Sequence, residues 1–189
     1  MSVNSDMLSV LQELGNFSQE ELGKVMGSTQ KIILKKGEKL LTRGQTCREL
    51  SFLESGAMVH QRPLENGSFQ ILNLGLPGDW ILDHASFTQQ KPSQYELVAF
   101  TNSKLRGINI DQLHTLISQS PSFFQLGKIL DASNPFSHHT LVNLSPSERY
   151  QLVLDQKPQL LQAFPLKLIA ALLEITPETL SRVRKKASL

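Results

Sequence analysis

The spacing of hydrophobic positions changes twice along the chain. Between Asp6 and Val25, apolar residues recur every three to five positions, which predicts two short amphipathic helices, the second capped by Ser18. From Lys31 to Ile110, short apolar runs alternate with glycine, which is typical of strands and turns. After Ile110 the helical spacing returns and persists to the last residues. The pattern therefore predicts an α+β chain with strands in its middle.

Glycines set the rhythm of the strand region. Those at positions 44, 56, 67 and 78 recur every eleven or twelve residues, and Glu65–Gly67 is a hairpin turn signal. Short strands at this spacing predict an N-terminal antiparallel jelly-roll barrel.

The helical region has several start signals. Asp111 is expected to cap one helix, and Ser120 with Pro121 to open a longer one. Asn134-Pro135 interrupts this long segment, because a proline inside a helix costs about 3 kcal/mol. Ser145-Pro146 opens a further helix.

The last 25 or so residues predict two short helices that share a small core. Leu166, Ile169, Leu172 and Leu173 form one apolar stripe, and Leu180 with Val183 forms the second. The second helix has a strong start, since Thr176 can accept a backbone N–H, Pro177 suits the first helical position and Glu178 suits the helix dipole.

The outer face of this second helix carries the candidate chemistry. Glu178, Thr179, Ser181 and Arg182 are expected to point away from the apolar stripe, with Lys185 and Lys186 following. Arginine can read guanine, glutamate can accept from cytosine, and hydroxyls and lysines hold phosphates, so this face fits a DNA major groove. A solvated basic tail is the alternative for the two lysines.

Charge is distributed unevenly. The whole chain is only +2, yet residues 145–189 carry seven lysines and arginines against four acids, while the rest carries 12 against 13. Any nucleic-acid contact must therefore come from this C-terminal patch.

Composition excludes several protein classes. At 189 residues and 40% hydrophobic, the chain can bury a core, so it is neither disordered nor fibrous. No apolar run is long enough to span a membrane, and the first residues lack a secretory signal, so we expect a cytoplasmic protein without membrane partners. Cys47 is the single cysteine, which excludes an internal disulfide and an iron–sulfur cluster.

Catalytic and metal motifs are missing from the sequence. GxSxG, GxxxxGK[ST], HExxH and the HxH of cupin-type metal enzymes do not occur. His138 and His139 are adjacent and would lie on different helix faces, and His60 and His84 lie on separate segments. We therefore expect no enzyme activity, no cofactor and no metal.

The C-terminal segment resembles the end of the Crp/Fnr transcription regulators; its sequence is IAALLEITPETLSRVRKK, and it follows a predicted jelly roll and helix. The resemblance is to a short subgroup of that family, whose ending has the pattern IA-x-x-L-x-ITPETLSR-x-RK. The resemblance covers about Ser18 to Lys186. It implies a cyclic-nucleotide-binding-like sensor domain over residues 1–118, a long dimerisation helix over 119–144 with a break at 134–135, and a minimal helix-turn-helix over 145–189.

The same resemblance implies residue roles. Glu178 and Arg182 would contact bases, and Thr179, Ser181 and Lys185 would lie near phosphates, with Thr176 and Lys186 beside them. A homodimer would bind a pseudo-palindromic double-stranded site, and an unidentified small-molecule effector could act through the dimer helix. The chain differs from the family pattern at Glu174, where the turn usually has glycine, and we expect no β-hairpin wing after the second helix.

The resemblance also indicates which residues correspond to the phosphate-binding segment of the family's nucleotide-binding members, here called the cassette. Ungapped alignment on the Gly78-Asp79 turn places Asp83 at the family's glutamate and Ser93-Gln94 at its arginine–hydroxyl pair, with Trp80 nearby. A cyclic phosphate without a guanidinium partner would be costly to bury, so we expect no tight cyclic AMP binding. Asp83 could instead favour a cationic or hydroxylated ligand, or be an ordinary solvent-facing carboxylate. Trp80 could be part of the core or a stacking platform for a ligand.

These observations lead to a DNA-binding transcriptional regulator as the first hypothesis. A second is a small-molecule-binding or protein-interaction module whose helix-turn-helix has decayed, which Glu174 and the missing wing would support. A cupin-like enzyme is a third.

Overall fold

The computed structural model describes residues 6–131 and 134–187. The chain divides into two compact units. The first comprises the described residues of Met1–Met58 and Gly75–Ala132, and the second those of Val59–Leu74 and Ser133–Leu189. None of the helices in the described residues has the length and hydropathy that crossing a membrane requires.

Eight strands form two four-stranded sheets in the described part of the chain. The strands are β1 (Gln30–Leu34), β2 (Lys39–Leu41), β3 (Glu49–Ser55), β4 (Met58–Pro63), β5 (Phe69–Gly75), β6 (Trp80–Ile81), β7 (Glu96–Ala99) and β8 (Ser103–Asn109). The strand orders are β1-β8-β3-β6 and β2-β7-β4-β5. The pairs β1–β8, β3–β8, β3–β6 and β2–β7 are antiparallel. The predicted antiparallel architecture is confirmed in these two sheets, and closure into a jelly-roll barrel stays a prediction.

Helices flank the strands of the first unit. They are α1 (Met7–Leu14), α2 (Gln19–Gly27), α3 (His84–Gln89) and α4 (Ile110–Gln119). Ser18 caps α2 as predicted, in a capping box with Glu21. The prediction that Asp111 caps α4 is wrong: Asn109 Oδ1 accepts from the Gln112 amide at 2.8 Å, so the helix begins one residue after Asn109.

The core of the first unit is one apolar cluster that includes the fully buried Phe52, Leu53, Leu105 and Phe123. Each such side chain contributes roughly 1.5–3 kcal/mol by leaving water. Leu11 of α1 and Leu22 of α2 belong to the same cluster, so the N-terminal helices are part of this unit's core.

The segment 119–144 differs from the prediction. It contains a 3-10 helix (Pro121–Gly127), α5 (Lys128–Asp131) and α6 (His138–Leu141). The sequence already predicts a break at 134–135, and the described residues divide the segment further, since a 3-10 helix precedes α5. Pro135 offers no amide hydrogen, and Asn134 bonds elsewhere: its Nδ2 donates to the Leu72 carbonyl at 2.9 Å and its Oδ1 accepts from the Phe136 amide at 3.0 Å.

The second unit contains the remaining helices, α7 (Pro146–Gln156), α8 (Leu160–Ala163), α9 (Leu166–Leu172) and α10 (Pro177–Ala187). Helix α10 packs against α7 and α9. The buried residues of these helices include Val153, Leu160, Ile169 and Leu180. Leu166, which the sequence places in the apolar stripe, is 37% exposed, so the stripe is confirmed only for its other members. The Glu65–Gly67 turn is also found, with the Gly67 amide donating to the Leu64 carbonyl at 3.0 Å.

Candidate nucleic-acid interface

Helix α10 begins as its sequence predicts. Thr176 Oγ1 accepts from the Thr179 backbone amide at 3.2 Å, which satisfies one of the unpaired N–H groups of the first turn. Pro177 occupies the first helical position. The helix therefore starts immediately after the turn that follows α9.

The two faces of α10 differ sharply in exposure. Leu180 and Val183 are buried. Glu178, Ser181, Arg182 and Lys185 are exposed, as are Thr176 and Lys186, while Thr179 is half-buried. Positions 178, 181, 182 and 185 are three or four residues apart, so they lie on one side of the helix. The structure thus brings the predicted residues onto a common surface, which we call the α10 face.

Charge on the α10 face is organised around its first two turns. The pKa of Glu178 is lowered, first by a hydrogen bond from its own backbone amide and then by the Thr176 hydroxyl, with a smaller effect of the Arg182 charge. Arg182 Nη2 donates to Thr179 Oγ1 at 3.2 Å. The last turn adds Arg184, Lys185 and Lys186. One carboxylate and one guanidinium therefore lie one turn apart, followed by a positive helix end.

A left-handed residue joins α9 to α10. Glu174 has φ 53°, and the Ile175 amide donates to the Ala170 carbonyl at 3.0 Å, as in a Schellman helix end. This backbone conformation favours glycine, and a side chain there costs roughly 1 kcal/mol. The turn therefore tolerates Glu174, as the sequence requires, at some cost in stability.

Arg149 holds this turn from α7. Its Nη1 donates to the carbonyls of Leu173 at 2.9 Å and Glu174 at 3.2 Å, and its Nε donates to the Leu144 carbonyl at 3.0 Å. These carbonyls lie at the end of α9 and in the segment just before α7, where backbone partners within a helix are missing. Arg149 thereby fixes the end of α9 and the turn that leads into α10.

His138 supports the same turn through the Glu174 side chain. Its Nδ1 lies 2.8 Å from Glu174 Oε2 and 3.0 Å from Oε1. Sequence reasoning missed both Arg149 and His138 as turn supports, since the partners of Arg149 are 24 and 25 residues away and that of His138 is 36 residues away. The spacing of residues along the chain gives no signal for such contacts. The left-handed conformation of Glu174 could be anticipated, because the family pattern has glycine at this position.

The candidate ligand residues are only partly brought together. Asp83 is 3% exposed and caps α3, and Ser93 Oγ donates to its Oδ2 at 2.5 Å. The expectation of a solvent-facing Asp83 is therefore wrong. Gln94 is exposed, and Trp80 packs edge-on against Phe52 with ring centroids 5.3 Å apart. Asp83 and Ser93 are thus hydrogen-bonded to each other, while Trp80 is partly buried and packs against the core cluster.

No described group of three or more His, Cys, Asp or Glu residues could hold a metal ion. Burial raises the pKa of the Cys47 thiol, which disfavours the reactive thiolate.

A known family model matches the strand region of the chain. Residues 31–120 match the family model of the cyclic nucleotide-binding domain. Among curated protein sequences, none matches the chain.

Several solved structures share the fold. The Thermus thermophilus catabolite activator protein is 21% identical over 92% of this chain and 84% of its own, with a TM-score of 0.57. FixK2 from Bradyrhizobium japonicum is 17% identical over 85% and 84%, with a TM-score of 0.65. The c-di-GMP-responsive regulator CLP from Xanthomonas campestris is 17% identical over 90% and 92%, with a TM-score of 0.61. The chain thus has the cyclic-nucleotide-binding fold and structural neighbours among Crp/Fnr-type regulators.

Proposed function

We propose that this protein is a DNA-binding transcriptional regulator of the Crp/Fnr type, and not an enzyme. The observation that carries the proposal is the α10 face: Glu178, Ser181, Arg182 and Lys185 are exposed along one side of a helix whose other side is buried. This face lies on a short helix that follows a second helix and a turn stabilised by Arg149. A helix-turn-helix presents the same arrangement to a major groove.

The residues of the α10 face divide into two roles. Arg182 reads guanine through two hydrogen bonds, and Glu178 accepts from cytosine. The Glu178 carboxylate is an acceptor at neutral pH, and its lowered pKa extends the ionised form to lower pH. Thr176, Thr179 and Ser181 lie close to the phosphates, and Lys185 with Lys186 neutralises them. The first pair sets sequence preference, and the remainder sets affinity.

The active form is a homodimer on a pseudo-palindromic site, with its two α10 helices about 34 Å apart, one turn of DNA. The dimer contact belongs to residues 119–144, between a sensor domain (1–118) and the DNA-binding domain (145–189). Phe124 in this segment is 67% exposed whereas Phe123 is fully buried. An exposed phenylalanine beside a buried one supports an apolar contact with a second copy.

Regulation does not depend on cyclic AMP. In the segment aligned with the family's phosphate-binding residues, a cyclic phosphate would lie beside the buried Asp83 carboxylate, which is already bonded to Ser93. Between Gly78 and Lys104 the only basic residue is Lys91, which is exposed. Burying an anion beside an anion without a guanidinium is strongly unfavourable. Millimolar cyclic AMP should therefore leave both the melting temperature and DNA binding unchanged, and a clear rise in either would overturn this part of the proposal.

Selection of random double-stranded DNA by the purified full chain tests the function. A regulator enriches a symmetric motif with two half-sites about 10 base pairs apart, and its affinity falls steeply with salt. A module with a decayed helix-turn-helix, the competing hypothesis, enriches no motif. Absence of a symmetric motif at low salt, from protein shown to be folded, would reject the regulator.

A further inference from the structure

The guanidinium of Arg182 has one hydrogen-bond partner among the described residues. Its Nη2 donates to Thr179 Oγ1, one turn earlier on α10, at 3.2 Å. Arg182 is exposed and takes part in none of the ion pairs between described residues. The Glu178 carboxylate attracts the same guanidinium through its charge, without forming an ion pair with it. The Thr179 hydroxyl therefore determines where the Arg182 side chain lies in the absence of DNA.

Thr179 is itself held in place by the start of the helix. Its backbone amide donates to Thr176 Oγ1 at 3.2 Å, and its Oγ1 accepts from Thr176 Oγ1 at 3.1 Å. The residue is half-buried, and its branched Cβ leaves few side-chain rotamers in a helix. The Thr179 oxygen is therefore a fixed point, whereas the side chain of Arg182 that contacts it is long and flexible.

The contact with Thr179 leaves the guanidinium able to read a base. A guanidinium has five N–H groups, and Thr179 accepts from one of those on Nη2. Two hydrogen bonds to guanine require two neighbouring N–H groups, which remain available. Long side chains on a helix point towards its N-terminus, which is the end that a helix-turn-helix places against base edges. Thr179 thus holds Arg182 at the end of α10 where base contacts are expected.

An arginine that is held before binding loses less freedom when it meets DNA. A free arginine side chain has a large rotamer entropy, part of which is lost when a base orders it. A hydrogen bond that already restricts the side chain in the orientation used on DNA reduces this loss. The benefit applies only where guanine is read, so it increases sequence preference.

We propose that Thr179 is a positioning residue for base recognition, whose hydroxyl holds Arg182 in the orientation that meets guanine. The inference rests on the proposed function, because it assigns the origin of the guanine preference. A contact of Thr179 with phosphate alone would strengthen binding to every sequence alike. The two roles are therefore separated by comparing affinities for different bases at the same position.

Two substitutions of Thr179 test this role. Thr179→Val keeps the branched shape but has no hydroxyl, whereas Thr179→Ser keeps the hydroxyl. Fluorescence anisotropy gives the affinity of each variant for the selected DNA site and its single-base variants. At the position that Arg182→Ala blurs, we expect Thr179→Val to reduce the preference for guanine about two- to fivefold, the effect of one modest hydrogen bond. Thr179→Ser should keep the preference of the wild type, and preferences at other base positions should not change.

A second readout needs no DNA. The NMR order parameter of the Arg182 Nε–H group in the free protein measures how firmly the side chain is held, and Arg182→Lys identifies its signal. Thr179→Val should lower this order parameter, and Thr179→Ser should not, because only valine removes the acceptor. Thr115→Val, the same substitution at an exposed position of α4, is the matched control and should change neither readout. Melting temperatures confirm that each variant is folded.

The outcomes separate this inference from the proposed function. If the wild type selects no symmetric motif, the regulator is rejected and the role of Thr179 with it. If a motif is selected but folded Thr179→Val keeps the full guanine preference, or weakens binding to all sequences by one factor, only the role of Thr179 is rejected. An Arg182 order parameter that is unchanged in Thr179→Val would also overturn the inference.

Discussion

Arg149 Nη1 lies 2.9 Å from the carbonyl oxygen of Leu173, so a side chain from α7 binds the C-terminal end of α9. The same guanidinium also reaches the Glu174 and Leu144 carbonyls. A charged donor that bonds to three carbonyls near the start of α7 and the end of α9 fixes their relative positions. The orientation of α10, which follows directly, depends on this contact.

Replacement of Arg149 should therefore weaken the second unit. Arg149→Ala should lower the free energy of unfolding by about 1–3 kcal/mol, because carbonyls bonded to a charged group lose their partner. Arg149→Lys should recover only part of this, since an ammonium cannot match the geometry of the planar guanidinium. Urea denaturation measures the effect, and Lys167→Ala, an exposed cation on α9, is the control. Equal stability of Arg149→Ala and the control would show that the contact is not stabilising.

The turn residue Glu174 combines two opposing effects. Glycine would remove the strain of φ 53° but would lose the contact with His138. Glu174→Gly should therefore stabilise the protein more in a His138→Ala background than in the wild type. Because the His138 side chain is 70% exposed, we expect a coupling of less than about 1 kcal/mol. A double-mutant cycle by thermal unfolding measures it, and a coupling of zero would mean that the pair contributes nothing.

The two proposed roles on the α10 face predict different mutant phenotypes. Arg182→Ala should cost about 1–3 kcal/mol of binding free energy and blur one base position in the selected motif. Lys186→Ala should weaken binding to all sequences alike and reduce the salt dependence. Fluorescence anisotropy on the selected site and its single-base variants distinguishes them. If both variants behave identically, the assignment of base-contacting and phosphate-contacting residues is wrong.

Glu21 predicts a pH dependence of stability in the first unit. A hydrogen bond from the Ser122 hydroxyl, with one from the Ser18 backbone amide, lowers its pKa from 4.5 to about 2. Because the folded pKa lies below the unfolded one, this stabilisation is complete above about pH 4.5 and is lost as the pH falls towards 2. Glu21→Gln should therefore be less stable than the wild type at pH 7, and the difference should shrink steadily below pH 4.5.

Melting temperatures of both proteins between pH 2 and pH 7 measure this difference. Glu20→Gln is the matched control, since the Glu20 side chain is 78% exposed and its partner Lys24 is on the same helix. A difference between wild type and Glu21→Gln that does not change with pH would contradict the role of the Glu21 charge.

The local elements and the exposed face of α10 followed from the sequence, because each depends on residues within one or two turns. Alternation of apolar and polar positions placed the helices and strands, and Thr176 with Pro177 marked the start of α10. Burial of Leu180 and Val183 then left Glu178 and Arg182 outside. The prediction that Asp111 caps α4 was wrong although it also concerned neighbouring residues, because Asn109, two residues earlier, caps the helix instead.

Tertiary structure alone decided which distant residues meet. Two examples are the Arg149 contact with the α9–α10 turn and the hydrogen bond between Ser93 and Asp83. Both depend on how separate strands and helices pack. The spacing of apolar residues gives the period of a single helix or strand, but it gives no information on the distance between two such elements. The face that would meet DNA was therefore predictable from the sequence, whereas the contacts that support it depend on the packing of residues far apart in the chain.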